Sequence, residues 1–267
     1  MAAALVVAVA LSLGTAGARA AAGAPPFDQK QALAYSQAAI GNVLPDAVLT
    51  DSRGQPFTLA DMAGKPLVIS LIYSSCYHTC PMLTQTLAHA VDVARDALGQ
   101  QSFRVLSIGF DTRVDTPRRM AAFARAQGVD VPDWRFASVD AATMDKLART
   151  LGFIFYPSAK GFDHLAQTTV VDANARVFRQ IYGAKYAPPT LVEPLKALIF
   201  GVPAQAANLS GLLSRVRLFC TIYDPKSGRY YFDYSLIIAV VMGLLSLGAT
   251  GYFLVREWRR KGQYGTG

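Results

Sequence analysis

Two cysteines four positions apart, Cys76 and Cys80, sit in the stretch Tyr73-Ser74-Ser75-Cys76-Tyr77-His78-Thr79-Cys80-Pro81 and are the side chains best suited to chemistry. The thiolate, and not the thiol, is the nucleophile and the metal ligand. Four-residue spacing lets two sulfurs converge over one helical turn, and backbone N–H groups at a helix start favour negative charge placed there. Such a pair can bind a soft metal, exchange thiol for disulfide, or close a structural bridge. Spacing alone does not choose among the three.

The flanking elements decide where the pair stands. Residues 67–73, Leu-Val-Ile-Ser-Leu-Ile-Tyr, form an almost unbroken apolar run of the kind found in a strand buried on both faces. Leu83, Leu87, Val91, Ala94 and Leu98 then recur at helical spacing, with Pro81 where a first turn tolerates it. The cysteines therefore fall between the end of a central strand and the start of a helix. The alternation continues with a strand over 104–110, a helix opened by Thr116-Pro117, a short strand over 135–139 and a helix capped by Asp140. Hairpins are expected around Asp51-Ser52-Arg53-Gly54 and around Asp172-Ala173-Asn174, and a closing helix over 191–200. The order predicts an α/β fold, a three-layer domain with a sheet between helices and an added N-terminal hairpin. Its expected limits are 42–200, after a polar lead-in over 21–41 and before a connector over 201–235, within which 209–218 has helical character.

Both ends of the chain carry apolar segments. Residues 1–20 hold an apolar core followed by Ala18-Arg19-Ala20, the pattern of a secretory signal peptide, although no Lys or Arg precedes the core. Residues 236–255 contain no charge, and twenty residues at about 1.5 Å rise match the roughly 30 Å of a bilayer interior. Tyrosines flank this segment, and Arg256, Arg259, Arg260 and Lys261 follow it, so the positive-inside rule assigns 256–267 to the cytoplasm. The expectation is a single-pass protein of the inner membrane with its soluble domain in the periplasm, where thiols meet oxidants.

Composition excludes other classes. With 52% hydrophobic and 16% charged residues the chain is too apolar to be disordered. Its net charge of +8 is spread along the sequence without basic clusters, which argues against a nucleic-acid partner. Three cysteines are too few for a disulfide-built scaffold.

The sequence resembles the Sco (SenC-type) copper-chaperone family of thioredoxin-like proteins over roughly residues 42–200. Its carriers are Cys76-x3-Cys80-Pro81 after the buried strand, Asp111-Thr-Arg-Val-Asp115-Thr-Pro117 after the next strand, and Asp163-His164 before the strand that starts near Thr168. The resemblance implies a thioredoxin-like domain and a copper site made by Cys76, Cys80 and His164. Two thiolates and one imidazole form a soft, low-coordinate set that suits Cu(I), whereas structural zinc takes four protein ligands; whether Cu(II) is also held stays open. Ligands from two loops at one end of the sheet agree with where open α/β sheets bind.

Departures are also present. The residues between the cysteines are Tyr77, His78 and Thr79, where the family commonly shows Pro and an acidic residue. His78 is either a competing ligand or an exposed loop residue, and His89 within the helix reads as structural. Asp111 and Asp115 either orient a partner or the copper loop, or serve the turn and helix start. Cys220 lies in a Cys-x2-Tyr-Asp-Pro-x2-Gly-x-Tyr stretch shared with membrane-anchored bacterial relatives, as an extra thiol, an intermolecular partner or a buried apolar residue.

The resemblance implies a metallochaperone that takes copper from an upstream donor and delivers it to the copper-acceptor subunit of a membrane-bound cytochrome c oxidase. The enzymatic alternative is a thiol-disulfide oxidoreductase using Cys76 and Cys80 to reduce the cysteines of a copper acceptor. The peroxidase reading is weaker, since the Pro and Thr that precede a peroxidatic cysteine are missing. A tethered adaptor with a structural disulfide is the remaining class.

Overall fold

The computed structural model describes residues 27–129, 131–201, 221–224, 227, 229–232 and 234–262. Residues 1–20, the 209–218 segment and Cys220 lie outside them.

The first hairpin pairs β1 (Val48–Asp51) with β2 (Pro56–Thr58). The buried run becomes β3 (Leu67–Ile72), all six of its residues buried. It leads into α2 (Thr79–Leu98), the helix after α1 (Gln29–Ala38) in chain order. There follow β4 (Arg104–Gly109), α3 (Pro117–Ala126), β5 (Trp134–Ser138) and α4 (Ala141–Leu151). The expected caps are present: Thr116 accepts from the Arg119 N–H and Asp140 from the Thr143 N–H. After β6 (Phe155–Ser158) and β7 (Gly161–His164), the chain forms β8 (Gln167–Val171), β9 (Val177–Tyr182) and α5 (Pro189–Phe200).

Seven strands make the main sheet in the order β2-β1-β5-β4-β3-β8-β9. Strands β3, β4 and β5 run parallel, and β8 runs antiparallel to β3. The C-terminal ends of β3 and β4, the start of β8 and the end of β9 therefore share one edge of the domain. On one face of the sheet Met120 and Asp115 crowd against Gly109, which places α3 there. Gln85 of α2 bonds Gln127 just after α3, and α2 packs on α5, so these three helices form one layer. On the other face Met144 of α4 lines a groove with Phe110, Phe155 and Phe162. The expected three layers are present, with the N-terminal hairpin joined to the sheet through β1 and β5.

Three elements exceed the sequence reading. The polar lead-in contains α1, capped by Asp28, with Ser36 bonded to Gln167. Strands β6 and β7 pair only with each other among the described strands. The connector holds a third hairpin, β10 (Thr221–Asp224) with β11 (Arg229–Phe232), whose Tyr230 hydroxyl donates to Glu193 of α5 at 2.9 Å. The last helix, α6, runs over Ser235–Gly262, longer than the uncharged segment, and is long and apolar enough over Ile238–Arg256 to cross a membrane.

Candidate metal centre

Loop 73–78 carries the chain from β3 to α2 and sets the two sulfurs. His78 precedes the helix and makes no side-chain cap, so the first turn lacks the usual oxygen acceptor. The Cys76 sulfur takes that role, accepting the Cys80 N–H at 3.3 Å. Both thiols are free; Cys76 is half-buried and Cys80 is buried. A hydrogen bond from the Cys80 thiol, with others from the backbone of Cys80 and His78 and from the Tyr73 hydroxyl, holds Cys76 down at about 4. Cys80 is pushed far up, first because its S–H is committed to Cys76 and then by burial. The pair is therefore one accessible thiolate backed by one buried thiol, with the helix start adding its favourable field.

This asymmetry has a direct test. Iodoacetamide is expected to modify Cys76 of the reduced chain at pH 6, with a rate that falls only as pH approaches about 4, while Cys80 stays unmodified. Peptide mass analysis of timed quenches reads both sites. A Cys76 rate that inflects near about 8.5, as for a free thiol, contradicts the arrangement.

His164 closes β7, opposite Phe155 in the hairpin. Its Nδ1 lies 2.8 Å from the Leu165 carbonyl oxygen, which can only accept, so Nδ1 carries the proton and Nε2 keeps the lone pair. Burial lowers the imidazole's proton affinity and keeps the ring neutral, the form that ligates metals. The ring stands among aromatic neighbours, with centroids 5.2 Å from Phe110, 5.5 Å from Phe153 and 6.0 Å from Tyr73.

Tyr73 belongs to both halves of the site. Its hydroxyl bonds Cys76 and the Phe162 backbone, and burial followed by the Cys76 contact pushes its ionisation upward. Gly161 leaves the room, because a Cβ there would lie 2.7 Å from the Tyr73 oxygen, and its backbone at φ +113° also disfavours a side chain. The structure thus joins Cys76 to Cys80 and links His164 to them only through Tyr73, whose hydroxyl bonds Cys76 and whose ring packs edge-on against the imidazole. Among the described residues, no three His, Cys, Asp or Glu side chains are close enough together to hold a metal ion. Two sulfurs and an imidazole with its proton on Nδ1 suit a soft cation in kind, but in this arrangement the three do not meet at one point.

The remaining sequence candidates separate clearly. His78 and His89 are exposed. Asp111 is buried at the end of β4, with the Arg113 guanidinium 3.9 Å away. Asp115 is buried and accepts from Ser74 and Asp111, and burial raises its carboxyl. The roles of Tyr73 and Phe110 carried no sequence signal beyond their places at the strand ends.

None of the curated proteins matches the chain. Among solved structures, an Aquifex aeolicus protein assigned to electron transfer is 26% identical with a TM-score of 0.56, the match covering 63% of this chain and 99% of that one. A SCO1/SenC family lipoprotein from Bacillus anthracis is 20% identical with a TM-score of 0.54, covering 59% of this chain and 95% of that one. Arabidopsis thaliana ScoI, solved with copper bound, is 17% identical with a TM-score of 0.50, covering 58% and 94%. These last two speak for the fold alone. The profile of SCO1/SenC matches residues 40–199, more than half of the sequence and the whole stretch from the first hairpin to α5, and the chain belongs to the SCO1/SenC family.

Proposed function

We propose that this chain is a copper metallochaperone that binds Cu(I) through Cys76, Cys80 and His164 and hands it to the copper-acceptor subunit of a membrane-bound cytochrome c oxidase, having taken it from an upstream donor. One observation carries the reading. A Cys76 thiolate backed by the buried Cys80 thiol lies on one side of the Tyr73 ring, and a neutral imidazole with its proton on Nδ1 packs on the same ring, a soft set with too few ligands for structural zinc. Family membership and a copper-bound relative of the same fold support it. Transfer proceeds by ligand exchange, incoming thiolates displacing one protein ligand at a time. The apolar helix α6 anchors the chain as a single pass in the inner membrane, with the domain in the periplasm and the C-terminus in the cytoplasm. Donor and acceptor then share one membrane plane, which raises their effective concentration.

The test is a Cu(I) titration of the full chain in detergent, under reducing conditions, against a competing chelator. One Cu(I) per chain is expected, with affinity reduced in His164→Ala. Absence of stoichiometric uptake ends the reading.

A second reading has its own support. An accessible low-pKa cysteine beside a buried partner is the asymmetry of a thiol-disulfide reductase, in which Cys76 attacks and Cys80 resolves. A His164→Ala chain that keeps full biological activity favours reduction, and loss of activity with thiol exchange intact favours copper delivery.

A further inference from the structure

Asp115 is almost fully buried, at 1% exposure, and neither the helix start after it nor the main-chain closure of the turn before it depends on its carboxylate. The start of α3 is capped by Thr116. The turn that follows β4 is closed by main-chain bonds, the Val114 and Asp115 N–H groups both donating to the Asp111 carbonyl at 2.8 Å. Of the three hydrogen bonds that the carboxylate accepts, two come from a distant loop and one from its own turn. Oδ1 takes the Ser74 N–H at 2.8 Å and the Ser74 hydroxyl at 2.6 Å, forty-one residues away in sequence, and Oδ2 takes the Asp111 N–H at 3.0 Å. A buried carboxylate is costly unless its oxygens are satisfied, and here they are. The packing makes space for it: a Cβ on Gly109 would lie 2.4 Å from the Asp115 Cβ.

Ser74 is two residues before Cys76, on the loop whose shape sets both sulfurs. We propose that Asp115 is the positioning residue of this loop, a brace that locks the Cys76 approach to the turn after β4 so that the two sulfurs are held ready for one metal ion. The proposal rests on the copper reading for its metal but not for its geometry. A carboxylate is the group that fits. Asparagine offers one oxygen, so its NH2 must face either the Asp111 N–H or the Ser74 donors, and one of the two loops is released.

The experiment uses the full chain in detergent with Asp115→Asn, Ser74→Ala, the double variant and, as a stability control, Val177→Ala. Val177 is buried in β9 near the end of the sheet opposite the sulfur loop. Two quantities are measured beside Tm. The first is Cu(I) affinity by chelator competition. The second, which needs no metal, is the equilibrium constant for closing the Cys76–Cys80 bridge in a glutathione buffer: the two thiols give up two electrons and two protons, the S–S bond forms, and oxidised glutathione leaves as two reduced molecules.

Asp115→Asn is expected to lower Cu(I) affinity by about 10- to 100-fold, the range for losing an outer partner of a ligand set, and to lower the bridge constant as well. Ser74→Ala has a smaller effect, which shrinks further in the Asp115→Asn background because the two share one contact. Val177→Ala lowers Tm and leaves both quantities in place. The brace is overturned if Asp115→Asn matches the wild-type chain in both, or if its losses merely track Tm as the control's do. Should the wild-type chain bind no Cu(I), the copper reading fails and the bridge constant alone decides the role of Asp115.

Discussion

Cys76→Ser is expected to weaken Cu(I) binding by more than about a hundredfold, beyond what loss of an outer partner costs. The replacement exchanges a soft sulfur, ionised above about pH 4, for a hard hydroxyl that keeps its proton. Serine still offers an acceptor to the Cys80 N–H, so the start of α2 keeps its cap and the fold survives. The loss is therefore chemical, and circular dichroism of the variant should overlay that of the unsubstituted chain. Chelator competition on the two reduced proteins checks the prediction, and a drop of less than tenfold would show that Cys76 is not a ligand. The same variant should lose thiol exchange, since the remaining Cys80 is buried and has lost the sulfur with which it would close a bridge.

The second large effect concerns stability. Phe110 is 2% exposed at the end of β4, and its ring centroid lies 5.2 Å from Tyr73, 5.2 Å from Phe153, 5.0 Å from Phe155 and 5.2 Å from Phe162. His164 rests on the same ring. Phe110→Ala should cost about 3–5 kcal/mol, as for other large core aromatics cut back to alanine. That is a large part of the roughly 5–15 kcal/mol that keeps a domain folded. Denaturant unfolding of the metal-free chain gives the number, and amide exchange should show residues 155–164 losing protection ahead of the main sheet. A cost under about 1 kcal/mol would mean that the ring cluster does not hold the hairpin.

Legibility in the sequence followed periodicity. The six-residue β3 has an uninterrupted apolar run, and α2, α3 and α4 have apolar stripes with Thr116 and Asp140 as caps, so each could be placed from local signals. The β6–β7 hairpin could not. Its strands are four residues each, and Pro157 sits inside one of them, the residue that ordinarily argues against a strand. Helix α1 has only two buried residues, Ala32 and Ser36, and thus no stripe to detect. The sulfur pair was visible because spacing and strand-end position are sequence properties. The meeting of Phe110, Phe153, Phe155 and Phe162 around His164 is a long-range outcome with no period. Asp115 looked like part of a turn and a helix start, since nothing local distinguishes a carboxylate that bonds only its own turn from one that also bonds a loop forty-one residues earlier.

The third hairpin limits how far the domain can stand from the apolar helix α6. Strand β11 packs on α2, Tyr230 is bonded to Glu193, and only residues 233 and 234 separate β11 from α6. The three Cα–Cα steps from Phe232 to Ser235 reach at most about 11 Å. On the proposed reading, with α6 crossing a membrane, a carrier on a long polar leash would sweep a hemisphere above the lipid, whereas this short stem would moor the domain close to the surface. Under that proposal acceptors would be sorted by the height of their own docking point before any contact is made, and lengthening the stem would widen the range of depths served.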